Sequence, residues 1–294
     1  IPLAGKRCGK PERQRLRALG SGVGVVLPNS FGSALDLCFA GIPLRLGRRG
    51  RGRSPLLTHR LPEWRRQPGM APCHQLSHYL DLAAVFGDVQ PQATCPPLRV
   101  EEARETCAAV GVDLSAGAWL VVAPGAAYGP AKQWPVERFI EVVQWWRRSV
   151  GPVAVVGTGK ERLAGDAVRR TVPDAINLAG RTDLTQLMAI LQMSHAVLAN
   201  DSGAMHLGGA LGCRGVAVFG STDPVATGPI GGRWILLHRP PQCAPCFERS
   251  CPRADSPYDC LMQIDSDTVV KALTHLLNED TAGTPAGPNP KERQ

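Results

Sequence analysis

Apolar runs and helical periods alternate most regularly between residues 118 and 238. Residues 118–123 (AWLVVA), 152–156 (PVAVV), 175–178, 196–199, 215–219 and 234–238 are short and nearly continuous in apolar side chains. Runs of that length, bounded by Gly, Pro, Asn or Asp, read as strands buried on both faces. Helical stretches lie between them at 136–150, 161–171, 184–193 and 203–211. Pro135 opens the first and Asp183 is a natural N-cap for the third. Strands alternating with helices predict an α/β, doubly wound parallel sheet of the Rossmann type, whose ligands bind beyond the carboxyl ends of the strands. Four loops fall there: Pro124-Gly125, Gly157-Thr158-Gly159, Asn200-Asp201-Ser202 and Gly220-Ser221-Thr222.

The first third is less regular. A strand is predicted at 22–27, a helix at 33–40, an Arg-rich and Pro-punctuated loop at 44–68, and helices at 74–86 and 100–110. These elements are too few for a complete α/β domain and read as the back portion of one whose first strand–helix–strand unit is absent. The expected organisation is therefore a partial N-terminal domain at 1–113 and a Rossmann-like domain at 114–278. A polar, Pro/Gly-rich tail at 279–294 is expected to be disordered. The first residue is Ile1 rather than Met, which reads as a fragment of a longer protein.

Composition adds one asymmetry. The net charge is +8, yet residues 1–66 hold 14 Lys/Arg against three acids, while the remainder is slightly acidic. One end of the molecule is thus suited to an anionic partner: nucleic acid, a membrane surface or a phosphorylated substrate, or else it is a solvated basic face. Trp64 is the one aromatic between 44 and 68, which speaks against stacking on nucleic acid. No apolar run is long enough to span a bilayer and no signal-peptide pattern opens the chain, so a cytoplasmic location is expected. Cys8, Cys38, Cys73, Cys95, Cys107 and Cys213 then read as mostly buried free thiols. Cys243, Cys246, Cys251 and Cys260 are spaced closely enough for a zinc or iron–sulfur site. Their spacing is not that of a paired C-x2-C ribbon, and the reading taken is a thiol cluster without a metal.

Two loops carry candidate chemistry. In Asn200–His206 (NDSGAMH), Asp201 and Ser202 stand at a helix start, where unpaired N–H groups and the helix dipole favour an anion. Gly203 would let a ligand approach the backbone, and His206 lies one turn on. The bland alternative is an ordinary cap with a packed histidine. The second loop, Pro124–Pro135 (PGAAYGPAKQWP), holds one lysine, Lys132, positioned to meet a diphosphate as a point charge, or else a plain surface lysine. It is not a Walker A loop. Gly157-Thr158-Gly159 lacks the third glycine of a dinucleotide fingerprint, which argues against a nicotinamide dehydrogenase.

These two loops, in order after Leu27–Leu35 (LPNSFGSAL) and after Phe39–Pro43 followed by Arg45, Gly47, Arg49, Gly50 and Arg53, resemble the motifs of the lipopolysaccharide heptosyltransferase II family, of glycosyltransferase family 9. The likeness spans roughly residues 1–278. It implies a GT-B architecture of two Rossmann-like domains, with the nucleotide sugar on the C-terminal one. The implied reaction moves heptose from ADP-L-glycero-D-manno-heptose to the first heptose of the lipid A–Kdo–heptose acceptor, by inverting single displacement without a cofactor. Donor contacts are implied at Gly125, Ala127, Tyr128, Lys132, Glu161, Asp201, Ser202, Gly203 and His206. Ala127 and Tyr128 replace the hydroxyl-bearing or acidic residues of relatives, so they would act through backbone, and Glu161 would hold a ribose hydroxyl. The acceptor would meet Asn29, Ser30, Arg45, Arg49 and Arg53, and the arginines would also rest the enzyme peripherally on the inner membrane. No nucleic-acid partner is implied.

Two departures from the family follow. Gly32 replaces a lysine, removing an acceptor-side charge. The family's general base, an aspartate in a Gly-Asp pair after its first strand, has no counterpart here, so donor binding is expected to outlast turnover. A donor-binding but inactive homologue, or a family member using another sugar donor, are the alternatives.

Overall fold

The computed structural model describes residues 8–27, 30–63, 73–88, 96–113 and 116–281. Asn29, Cys95, Trp64 and most of the tail expected at 279–294 lie outside them. The chain forms two compact units, residues 1–91 and 92–294.

Unit 1 runs α1 (Lys10–Ala18), β1 (Val23–Val26), α2 (Phe31–Phe39), β2 (Leu44–Arg48), β3 (His59–Leu61) and α3 (Leu76–Ala83), which ends in a 3-10 turn at Ala84–Phe86. Its three strands are parallel, in the order β1-β2-β3. The segment 44–68 is therefore not a plain loop, as its arginines and prolines had implied. Two strands cross it, and several of its arginines donate to carbonyls and a carboxylate of the same unit. The Arg48 guanidinium is buried against Asp81 and donates to Pro62 O at 3.1 Å. Arg53, 2% exposed, donates from Nε to Arg48 O at 2.7 Å. Gly47 lets the small core close tightly on β2, since a Cβ there would stand 3.1 Å from Leu57 and 3.2 Å from Val26, two of its members.

Unit 2 runs α4 (Val100–Ala109), β4 (Leu120–Ala123), α5 (Val136–Ser149), β5 (Val153–Val155), α6 (Arg162–Thr171), β6 (Ile176–Asn177), α7 (Leu184–Gln192), β7 (Ala196–Asn200), α8 (Gly203–Ala210), β8 (Arg214–Phe219), α9 (Pro224–Thr227), β9 (Arg233–His238), α10 (Asp259–Met262) and α11 (Ser266–Thr281). All six strands are parallel, in the order β6-β5-β4-β7-β8-β9. The order reverses between β4 and β7, which makes that junction the topological switch point.

Alternate side chains of each strand point to opposite faces. Leu120, Val122, Val153, Val155, Leu198 and Val216 pack with Phe139, Val142 and Trp146 of α5 and with α11. Val121, Ala154, Val197 and Ala217 pack with Ala103 and Cys107 of α4, with α7 and with Met205 of α8. Burying each such side chain contributes about 1.5–3 kcal/mol. Helix α4 groups with this unit. It packs on α7, and the Gln192 side chain bridges to the Leu98 backbone, accepting from N at 2.9 Å and donating to O at 2.8 Å. Helix α11 also continues to Thr281, into the segment expected to be disordered.

Candidate functional site

The site assembles at the carboxyl ends of β4, β5 and β7, around the switch point. Asn200, the last residue of β7, is wholly buried and fastens the neighbouring loop. Its Nδ2 donates to Pro124 O at 2.7 Å, and its Oδ1 accepts from Trp134 N at 3.1 Å. The loop that carries Lys132 is thus tied at both ends to the strand that presents Asp201.

Lys132 and Asp201 form an ion pair at 2.5 Å, with side chains 12% and 3% exposed. The same carboxylate oxygen accepts from Thr222 Oγ1 at 2.6 Å and Thr227 Oγ1 at 3.4 Å, and His206 Nε2 stands 3.8 Å from the other oxygen. A buried carboxylate would repel a phosphate. What Asp201 can do is hold Lys132 and His206 in place beside the start of α8. Thr222 and Thr227 were not foreseen as site residues. The only signal for Thr222 was its place at a strand end.

Ser202 is the N-cap of α8, but its side chain makes no capping bond. Its Oγ is buried without a hydrogen-bond partner, beside first-turn N–H groups that have no carbonyl to meet. Buried hydroxyls are normally satisfied, so this cluster of donors has the character of an anion seat. A Cβ on Gly203 would meet nothing within 4 Å, so the helix end opens onto space.

That space is a cavity of about 630 Å³ whose lining includes Gly125, Glu161, Gly180, Leu184, Ser202 and Gly203. It offers both hydrogen-bonding groups and apolar surface. An adjoining cavity of about 380 Å³ shares Gly125, Ala127 and Glu161 and adds Tyr128, Lys160 and Arg249.

Glu161 has a local task as well. Its Oε2 accepts from Thr158 N at 2.7 Å and Thr158 Oγ1 at 2.5 Å, completing a capping box. Its side chain lies across Gly125, where a Cβ would come within 2.2 Å of Glu161 Cγ. Tyr128 O accepts from Arg249 Nε at 2.8 Å, and Tyr128 OH donates to Phe247 O at 2.6 Å.

In unit 1 the acceptor candidates separate. Ser30 Oγ caps α2, accepting from Ser33 N at 3.1 Å. The Arg45 side chain donates to Leu56 O at 2.6 Å and Ile42 O at 2.5 Å, and Arg53 is buried. Arg49 is exposed, as is Arg51.

Cys243, Cys246, Cys251 and Cys260 line one void of about 30 Å³ together with Ser221 and Tyr258. Burial, aided by the neighbouring thiols, pushes Cys260 up to about 11. Among the described residues no three His, Cys, Asp or Glu side chains are arranged to hold a metal ion.

A six-stranded parallel sheet with its order reversed between β4 and β7, and an anion seat at that junction, define a Rossmann-like domain. The chain belongs to Glycosyltransferase family 9 (heptosyltransferase), whose sequence profile matches residues 12–256. It is 34% identical to Lipopolysaccharide heptosyltransferase 2 of Escherichia coli (strain K12), covering 87% of this chain and 76% of that protein. Identity to the Salmonella typhimurium (strain LT2) protein of the same name is 32%, covering 87% and 75%. The solved structure of E. coli ADP-heptose lps heptosyltransferase II superposes with a TM-score of 0.75 at 28% identity, covering 92% of this chain and 80% of that one. E. coli heptosyltransferase WaaC with ADP shares the fold, with a TM-score of 0.62 at 17% identity.

Proposed function

We propose that unit 2 binds ADP-heptose and that the protein transfers its heptose to the first heptose of the lipopolysaccharide inner core, with inversion in a single displacement. The observation that carries this is the unsatisfied Ser202 hydroxyl and the start of α8 on the wall of the 630 Å³ cavity, with Lys132 held nearby by Asp201, the neighbour of Ser202. The diphosphate would sit there, beside Gly203 and within reach of His206. The nucleoside would lie toward Leu184 and Leu187, near the glycine-opened wall at Gly125 and Gly180. During transfer, Lys132 and the helix start would take up the negative charge that develops on the departing diphosphate. Asp201 holds that lysine rather than the ligand, and Glu161 has one carboxylate oxygen left to accept from a ribose hydroxyl.

The exposed Arg49 and Arg51 support contact of unit 1 with an anionic acceptor, and the basic first third supports peripheral contact with an anionic membrane face.

Calorimetric titration with ADP and ADP-heptose, paired with a transfer assay on a truncated lipopolysaccharide acceptor, tests this. ADP binding is expected, and Lys132→Ala should weaken it at least about tenfold, as loss of a charge-assisted bond does. A folded chain that binds neither ligand would sink the proposal. Binding without transfer would leave the donor site standing and remove the transfer step.

A further inference from the structure

We infer that Arg249 is a second donor-binding cation, a diphosphate-gripping residue delivered by the cysteine-bearing segment that follows β9. The inference rests on the donor reading above.

Charge balance raises the need for such a residue. Asp201, 2.5 Å from Lys132, offsets part of the lysine's charge. The α8 start adds about half an elementary charge to what the lysine still offers. A departing nucleoside diphosphate carries more negative charge than that, so a further cation is needed close by.

Arg249 is placed to be that cation. Its guanidinium lies 5.4 Å from the centre of the Tyr128 ring, and Lys132 Nζ lies 4.9 Å from the same centre. Both cations therefore gather around one aromatic ring. Arg249 Nε is used on Tyr128 O, at 2.8 Å, which leaves the two terminal nitrogens as the edge that grips a phosphate. A carbonyl and a ring carry no net charge to cancel it. Across the 380 Å³ cavity that Arg249 helps to line stand Lys160 and Glu161, and that cavity shares Gly125 and Ala127 with the nucleotide cavity.

The position is built into the backbone. Ala131 N donates to Arg249 O at 3.1 Å, Ser221 N to Ala131 O at 3.1 Å, and Phe247 N to Ser221 O at 2.8 Å. Gly129, at φ +154°, leaves room for this, since a Cβ there would come within 2.4 Å of Arg249 O. These bonds set Arg249 beside the loop of Lys132.

The test compares Arg249→Gln, Arg249→Lys and the parent chain by calorimetry with ADP, adenosine and inorganic pyrophosphate. The expected result is roughly tenfold weaker ADP and pyrophosphate binding for Arg249→Gln, with adenosine unchanged. Arg249→Lys, which keeps the charge and loses the fork, should recover part of the ADP affinity. It also decides the matter if the glutamine variant does not fold. Equal ADP affinity in the parent and variants, or ADP and adenosine weakened alike, overturns the inference and leaves the donor site intact. A parent chain that binds neither ADP nor adenosine overturns the donor reading and this inference with it.

Discussion

Both units carry parallel sheets, but they are covered differently. Val122, Val155 and Leu198 of unit 2 are 0% exposed, whereas Val23 and Val25 of β1 in unit 1 are 43% and 38% exposed. Helices cover unit 2's sheet on both faces, so apolar burial carries its stability, and polar groups such as Lys132, Asp201 and Ser202 can be gathered at the strand ends. Among the described residues, unit 1 has one small core cluster of Val26, Ala34 and Leu57, with Leu37 and Leu56 packed against it. There arginines take over part of the structural task by donating to carbonyls. The lesson concerns charge: a run of arginines in the sequence is not a measure of how much positive surface a ligand meets.

The sharpest way to break this contrast is to remove a large apolar side chain from each unit. Trp146→Ala empties a wholly buried position and should cost about 3–5 kcal/mol in denaturant melts. Val25→Ala should cost under about 1 kcal/mol, in keeping with its exposure. Equal losses would mean that the two sheets are stabilised alike.

Smaller effects separate the polar scaffolds. Asn200→Ala leaves Pro124 O and Trp134 N buried without partners and should cost about 2–3 kcal/mol. Arg53→Met keeps most of the stem and loses the bond to Arg48 O, for an expected loss of about 1–2 kcal/mol. A neutral Arg53→Met in the same melts would show that unit 1 does not depend on this carbonyl contact.

The smallest effect is the pH dependence that His195 contributes in unit 2. His195 Nδ1 accepts from Trp119 N at 3.2 Å, and burial, with Arg214 nearby, holds the imidazole below its ordinary range. The unfolded chain therefore takes up this proton first. Stability from His195 is present above the ordinary histidine value of about 6.5 and declines as the pH falls through it. Melting temperatures at pH 7.5 and about 5.5 should differ, and His195→Asn should narrow the gap. An unchanged gap would assign the acid sensitivity elsewhere.

Much of unit 2 was legible in the sequence, since its strands are unbroken apolar runs and its helices carry caps such as Asp183, which accepts from Gln186 N at 2.8 Å. Strands β2 and β3 were not legible. Leu44–Arg48 mixes two arginines and a glycine into five positions, and what makes it a strand is the remote Asp81 and the carbonyls that receive its guanidinium groups. The candidate site was legible only as separate groups, Lys132 in one loop and Asp201 and Ser202 in another. It was not legible where groups meet from afar: Thr222 is 21 positions from Asp201, and Arg249 is 121 from Tyr128. Nor did the sequence distinguish a ligand-facing Asp201 from one that holds a lysine.

The three backbone bonds that join residues 131, 221, 247 and 249 have an evolutionary consequence. Amide and carbonyl groups belong to every residue, so the frame tolerates drift in the side chains it carries. Descendants of this sequence can exchange what they display there without rebuilding the support. The substitution this frame forbids is proline at 131, 221 or 247, where the N–H itself is the fastener.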